Sequence, residues 1–124
     1  MRIFKNKAFK KWTEKVGLSD DALRIAVDEI ERGLIDADLG GYVVKKRVAV
    51  GGRGKSGGVR TLLAYKSGEK AFFVYGFAKN VRANVSAGEL KALKYLAKEL
   101  MNYSDKALTK AIQHGALIEV KDNG

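Results

Sequence analysis

The 124-residue chain has no cysteine, no proline and a single histidine, His114. Without cysteine it can form neither a disulfide bond nor a thiolate metal centre. One histidine near the C-terminus gives little basis for a serine triad. We expect Asp36 and Asp38 to be solvated loop acids rather than metal ligands. The sequence therefore predicts a protein that uses no metal and no other cofactor.

Long apolar runs are missing as well. No stretch approaches the roughly 20 apolar residues that cross a bilayer, and the first residues contain no apolar run typical of a signal peptide. Apolar residues make up 46% of the chain and charged residues 31%, as in globular proteins. These features predict a cytoplasmic protein with no membrane partner, folded as a single domain over residues 1–124.

Acidic residues are nearly absent from the middle of the chain. Residues 39–88 contain ten lysines and arginines but one acid, Glu69, so this segment has a net charge of +9. The rest of the chain, with fourteen cations and thirteen acids, has a net charge of +1. A field of one sign attracts polyanions. A generic basic surface that aids solubility is the alternative, but solubility alone does not require acids to be kept out of this segment.

Helical patterns dominate both ends of the chain. Apolar residues recur at helical spacing from Phe4 to Val16 and predict a first helix that ends at Gly17. Ser19 is a good N-cap for a second helix, which Gly33 is expected to stop. Its expected buried stripe consists of Leu23, Val27, Ile30 and Leu34.

Two further helices are predicted near the C-terminus. Residues 86–89 form a capping box that opens the third helix. Ser104 is expected to cap a short fourth helix that extends through Ile112. The apolar stripe of the third helix consists of Leu90, Leu93, Leu96, Ala97 and Leu100.

The region between these helical ends is typical of a β-sheet. Tyr42–Val50, Val59–Lys66 and Lys70–Ala78 are predicted strands, and Ser67-Gly68 is a predicted tight turn. Residues 117–120 are expected to form a short strand or a packed tail. The predicted fold is α+β: an N-terminal helical hairpin, a small antiparallel sheet, and C-terminal helices packed on one face. One core is expected to contain Trp12, Leu23, Val27, Leu62, Phe72, Val74, Leu93 and Leu96.

Residues 51–58 contain five glycines and predict a loop. The loop matches G-x-G-x-x-G at residues 52–57 and partly matches a P-loop. Both nucleotide-binding motifs lead into a helix, whereas a strand is predicted here, and Ala49 occupies the position of the first P-loop glycine. Glycines nevertheless let backbone N–H groups approach phosphate, and Arg53, Lys55 and Arg60 add charge. We expect polyanion binding; a flexible loop with solvated cations is the alternative.

Three segments resemble the HigB-like branch of the RelE/ParE toxin superfamily. They are Leu-Ile-Asp-Ala-Asp-Leu-Gly-Gly at residues 34–41, Gly-Arg-Gly-Lys-Ser-Gly-Gly-Val-Arg at 52–60 and Val-Tyr-Gly-Phe-Ala-Lys-Asn at 74–80. The resemblance runs from Met1 to Leu100, so residues 103–124 are expected to form a C-terminal extension. It implies a RelE-like fold and the toxin of a type II toxin–antitoxin system. Such toxins enter the ribosome and cut mRNA through attack of an RNA 2′-OH on its own phosphate, without a metal.

The resemblance also implies partners and site residues. Arg60 matches the arginine that supports the scissile phosphate, and Lys79 and Lys55 are the candidates for proton transfer. RNA and the ribosome are the expected partners, together with a cognate antitoxin that is a helix-turn-helix DNA-binding protein. The residues expected to bind RNA are Arg53, Lys45, Arg47, Arg82 and Asn80.

Two positions depart from the family pattern. Asn80 stands where some relatives have arginine, and the C-terminal catalytic tyrosine of some members has no clear equivalent near Val85. These departures concern cleavage more than RNA binding. The alternative is a non-enzymatic binder with the same fold, either a ParE-like inhibitor of DNA gyrase or an RNA-binding protein with weak catalysis. The acid-free sheet favours nucleic acid over gyrase.

Overall fold

The computed structural model describes residues 1–51 and 58–121, which contain four helices and a six-stranded sheet. The strands follow the order β2-β3-β4-β5-β1-β6 across the sheet. No helix within the described residues is long and apolar enough to span a membrane. In chain order the elements are β1 (Arg2–Asn6), α1 (Lys7–Val16), α2 (Asp20–Glu31), β2 (Ala37–Gly40), β3 (Val43–Val48), β4 (Val59–Lys66), β5 (Lys70–Ala78), α3 (Ala87–Met101), α4 (Asp105–Gln113) and β6 (Leu117–Glu119).

The starts of α2, α3 and α4 agree with those predicted from the sequence. The Ser19 and Ser104 hydroxyls accept hydrogen bonds from backbone N–H groups three residues on, at 3.2 and 3.1 Å. At the start of α3, the Glu89 N–H donates to the Ser86 hydroxyl at 3.1 Å and the Glu89 carboxylate accepts from the Ser86 N–H at 2.9 Å. The two caps and the capping box are therefore confirmed. Each satisfies backbone donors that a helix start leaves without partners.

The predicted N-terminal helical hairpin is wrong at its start, because the chain begins with a strand. β1 pairs in parallel with β5 and antiparallel with β6, so the sheet is mixed rather than purely antiparallel. Phe4, assigned to the first helix by its spacing, lies in β1 and stacks on Phe72 with ring centroids 5.0 Å apart. Asn6 ends the strand and caps α1 by accepting from the Phe9 N–H at 2.8 Å. The mixed α/β content still agrees with the predicted α+β class.

The single predicted core is also wrong, because helices cover both faces of the sheet. Successive strand residues point to opposite faces, so Leu62 and Phe72 face α3 and α4, whereas Leu63 and Phe73 face α1 and α2. Leu34 lies beyond the end of α2 and is 52% exposed, so it does not belong to the buried stripe. The α1/α2 core includes Phe9, Leu23, Ala26, Val27 and Ile30, and the α3/α4 core includes Phe4, Val43, Ala97, Leu100 and Leu108.

β4 and β5 have the bounds predicted from the sequence, Val59–Lys66 and Lys70–Ala78. The predicted turn between them at Ser67-Gly68 is also confirmed. The strand predicted from Tyr42 begins at Val43, because Tyr42 has a positive φ of 67°. Residues 37–40, for which no strand was predicted, form the edge strand β2. Asp38, which was expected in a loop, lies in β2, and its carboxylate accepts a hydrogen bond from the Gly40 N–H at 2.9 Å.

Candidate nucleic-acid interface

Cationic side chains from the neighbouring strands β3 and β4 lie together at one end of the sheet. In the antiparallel register, Arg47 of β3 lies opposite Arg60 of β4, and Arg60 lies opposite Phe77 of β5. Side chains that are directly opposite share a face, so both arginines and the aromatic ring lie on the α3 face. Lys45 pairs with Leu62 and belongs to the same face, two residues further along β3.

A β-bulge places two aromatic side chains beside these cations. Leu62 pairs with Tyr75 and Leu63 with Phe73, so Val74 has no partner in β4. An extra residue of this kind redirects the side chains that follow it. Tyr75 and Phe77 therefore lie on the same face of the sheet as Arg60, with ring centroids 6.1 Å apart. Gly76 faces the other side, where a Cβ atom would lie 2.2 Å from the Trp12 ring.

Arg60 is the most unusual residue of this face. It lies in β4 and is only 7% exposed, and its buried Nη1 has no hydrogen-bond partner among residues 1–51 and 58–121. Leaving a buried donor unsatisfied costs about 1–3 kcal/mol, and more when the group is charged. A guanidinium presents its N–H groups as a planar fork that matches a phosphate or a carboxylate. The site thus contains a buried donor that an anion could satisfy.

The cations near Arg60 differ in whether their charge is available to a ligand. Arg47 is about half exposed and pairs with Asp36, with 3.3 Å between Nε and Oδ1. Lys46 points to the opposite face, where its ammonium lies 2.8 Å from the Glu29 carboxylate and donates to the Leu34 carbonyl at 2.7 Å. Lys46 therefore holds α2 against the sheet and is not available to a ligand, although it belongs to the basic segment 39–88. Because successive strand residues point to opposite faces, the sequence alone could have shown that Lys46 does not share a face with Lys45 and Arg47.

The turn after β5 brings further polar side chains to the same sheet end. Ala78 pairs with Val59, the first residue of β4, so the turn lies next to the strand that contains Arg60. The N–H groups of Val81 and Arg82 donate to the Ala78 carbonyl at 3.0 and 3.2 Å. Lys79 and Asn80 are exposed in this turn, where they could meet an incoming ligand.

Arg82 is held in a network of its own. Its guanidinium forms two bonds with the Glu89 carboxylate, at 2.9 and 2.5 Å, and also donates to the Tyr75 hydroxyl at 3.0 Å and the Asn84 carbonyl at 2.9 Å. Hydrogen bonding with Glu89 raises the pKa of Arg82. The bond from Arg82, followed by bonding to Ser86, lowers the pKa of Glu89 to about 2. The arginine, 6.0 Å above the Phe77 ring, thus ties the turn to the start of α3.

The structure therefore brings together Lys45, Arg47, Arg60 and the turn that contains Lys79, Asn80 and Arg82. Arg53 and Lys55 fall in residues 52–57, outside the described residues. Tyr75, Phe77 and the bond between Glu89 and Arg82 were not predicted from the sequence. Aromatic residues two apart in a strand were an available signal for the first two; Glu89 was recognised only as part of the capping box.

The assembled groups suit anion binding. The face offers a buried guanidinium with a free donor, a half-exposed arginine, two lysines and two aromatic rings. Preorganised cations of this type stabilise negative charge that develops on a reacting phosphate. Among the described residues there is no group of three or more histidine, aspartate or glutamate side chains that could hold a metal ion.

A comparison with protein families identifies the group to which this architecture corresponds. The model described as the RelE toxin of the RelE/RelB toxin–antitoxin system matches residues 1–120. A search of curated proteins found no significant match. The family match includes α4 and β6, and thus most of the segment beyond residue 103.

Proposed function

The chain belongs to the RelE toxin family, and we propose that it is the toxin of a type II toxin–antitoxin system that cuts mRNA on the ribosome in the cytoplasm. The motif resemblance favours the HigB-like branch. The proposed reaction requires no metal. The proposed partners are mRNA, the ribosome and a cognate helix-turn-helix antitoxin that masks the basic face through acidic or apolar contacts.

The unpartnered Nη1 of Arg60 carries this proposal. A buried donor without an acceptor is destabilising in the free protein, and a phosphate oxygen would satisfy it. Proteins retain such costly arrangements mainly at functional sites. The surrounding cations draw a polyanion to this end of the sheet.

In the proposed reaction, the RNA 2′-OH attacks the adjacent phosphorus and the 5′-oxygen of the next nucleotide leaves. The nucleophile belongs to the substrate, so the protein contributes mainly position and charge. Arg60 stabilises the charge that develops on the phosphate oxygens. Lys79 or Lys55 transfers the protons, one from the 2′-OH and one to the leaving oxygen. Lys45, Arg47, Arg53, Asn80 and Arg82 hold the RNA or shape the surface that receives it.

Induced expression in a bacterium tests this proposal, with growth and mRNA 5′ ends followed together. The wild-type protein should arrest growth and create new mRNA ends. Arg60→Lys keeps the charge but removes the planar fork, so it should bind ribosomes nearly as well and yield far fewer new ends. Arg32→Lys, an exposed change at the end of α2, is the matched control and should behave as wild type.

Two results would contradict the proposal. The first is full cleavage by Arg60→Lys, which would remove Arg60 from the site. The second is growth arrest by the wild-type protein without any new mRNA ends. That result would favour the non-enzymatic alternatives, and a DNA supercoiling assay would then separate a gyrase inhibitor from an RNA-binding protein.

A further inference from the structure

A second basic surface lies on the outer side of α3, away from Arg60. A groove of about 380 Å³ is formed there by Gly41 and Tyr42 and by one face of α3, where Lys91, Lys94, Tyr95 and Lys98 lie one helical turn apart. None of the described residues that line it is acidic. The three lysines have no ion-pair or hydrogen-bond partner within the described part of the chain. Their charge is therefore available to a ligand.

Two exposed aromatic rings lie between these lysines. Tyr95 is 64% exposed and Tyr42 is 49% exposed. Their rings offer apolar area that a stacking ligand would bury favourably. Exposed rings next to free cations form the arrangement by which proteins bind single-stranded nucleic acid: bases stack on the rings and phosphates meet the charges.

The backbone holds Tyr42 in this position under strain. Gly40, Gly41 and Tyr42 have successive φ values of +81°, +57° and +67°. Such angles suit glycine, and a bulky residue adopts them at a free-energy cost. The stem of Lys94 packs against Gly41 so closely that a Cβ atom there would lie 2.9 Å from the lysine Cγ. The turn and α3 are thus fitted together in a shape that presents the Tyr42 ring at the groove.

We propose that this groove is a second RNA-binding site, where single-stranded RNA stacks an unpaired base on the exposed tyrosines and pairs its phosphates with the three lysines. β3 connects the groove to the Arg60 face, since Arg47 is five residues beyond Tyr42, or about 17 Å along the strand. One RNA strand can follow this path. That continuous path rests on the proposed function. The groove proposal itself depends only on RNA binding and does not require the protein to cut RNA.

Fluorescence anisotropy with a labelled, unpaired RNA oligonucleotide tests the aromatic part. Tyr42→Gly removes the ring and relieves the strained φ, so the melting temperature should stay the same or rise while RNA binding weakens roughly tenfold. Tyr95→Ala should weaken binding to a similar degree. A structural role for Tyr42 would give the opposite combination, a less stable protein with unchanged affinity.

The charged part is tested with two triple variants of equal charge. Changing Lys91, Lys94 and Lys98 to glutamine should reduce the slope of log affinity against log salt by about 2, at roughly 0.7 per phosphate contact. The control changes Lys7, Lys11 and Lys15, exposed on one side of α1, and should leave the slope nearly unchanged.

Each remaining outcome decides between the two proposals. Affinity changes below about twofold for both tyrosine variants, or equal slopes for the two triple variants, would overturn the groove proposal and leave the nuclease proposal standing. Unchanged RNA affinity combined with weaker binding of the cognate antitoxin would assign the groove to an acidic peptide instead. Groove-dependent RNA binding by a wild-type protein that cuts no mRNA would support the groove and overturn the nuclease.

Discussion

Replacing Arg60 by methionine should stabilise the free protein while removing its activity. Methionine has a similar length and adapts to irregular apolar space, so the substitution removes a buried donor without opening a large cavity. The penalty for the unsatisfied Nη1 is about 1–3 kcal/mol. Arg47 lies directly opposite in the register, and like charges in that position are also unfavourable. Lost packing of the guanidinium offsets part of the gain, so we expect the free energy of unfolding to rise by about 1–2 kcal/mol.

Urea unfolding provides the measurement, because Trp12 is the only tryptophan of the chain and packs beside Phe9 and Gly76. The expected gain corresponds to a melting temperature higher by roughly 4–8 °C for a domain of this size. Added single-stranded RNA should raise the melting temperature of the wild-type protein, since a ligand of the folded state stabilises it, and should raise that of Arg60→Met less.

Arg47→Met is the matched control for this experiment. The Arg47 side chain is 46% exposed and that of its partner Asp36 is 19% exposed, so loss of this partly exposed pair should lower stability by about 1 kcal/mol and should not raise it. The reasoning would be refuted if Arg60→Met unfolded more easily than wild type by more than about 1 kcal/mol and still produced new mRNA ends. The guanidinium would then be a structural group with partners in the folded protein.

Three further predictions concern the scaffold. Lys46→Ala should destabilise the protein by about 3 kcal/mol, because it removes the buried ammonium that pairs with the Glu29 carboxylate, whereas Lys45→Ala should change the free energy of unfolding in urea by less than about 1 kcal/mol. Gly76→Ala should destabilise by about 1–3 kcal/mol, since its methyl group would collide with the tryptophan ring; Gly88→Ala, in open space in the first turn of α3, should be neutral or stabilising. Glu89 has a folded pKa of about 2, below the ordinary value of about 4.3, so its contribution is present above pH 4.3 and is lost as the pH falls towards 2. Glu89→Gln keeps the capping geometry but removes the charge. The difference in unfolding free energy between this variant and wild type should therefore shrink as the pH falls from 4.3 towards 2, and a difference that stays constant would contradict the ion pair.

The sequence predicted best those elements that depend on local signals. Ser19, Ser86 and Ser104 each bond a backbone N–H only three residues away, so the information for these helix starts is local. β4 and β5 are recognisable because they are rich in β-branched and aromatic residues and are joined by a tight turn. Short-range patterns of this kind need no knowledge of the rest of the molecule.

Elements fixed by distant partners were missed. Phe4 matches the helical spacing of the residues that follow it, and nothing local shows that it stacks on Phe72 in a parallel strand pair. The division into two cores likewise depends on which helix covers which face. At the candidate site, the sequence pointed to Arg60, but its unpartnered Nη1 depends on packing. The bond between Arg82 and Glu89 joins a turn to a helix start and could not be derived from spacing.

The position of β1 between β5 and β6 has a consequence for the order in which the protein folds. Its partners in β5 and β6 follow it in the chain by about 70 and about 110 residues. Contacts between such distant residues close large loops and form slowly compared with local ones. During synthesis, the apolar side chains of Ile3 and Phe4 lack their strand partners until β5 has emerged from the ribosome. β1 then remains an unpaired sheet edge until β6 has been synthesised. A translation product that stops before residue 117 would contain every residue of the Arg60 face on an unfinished sheet.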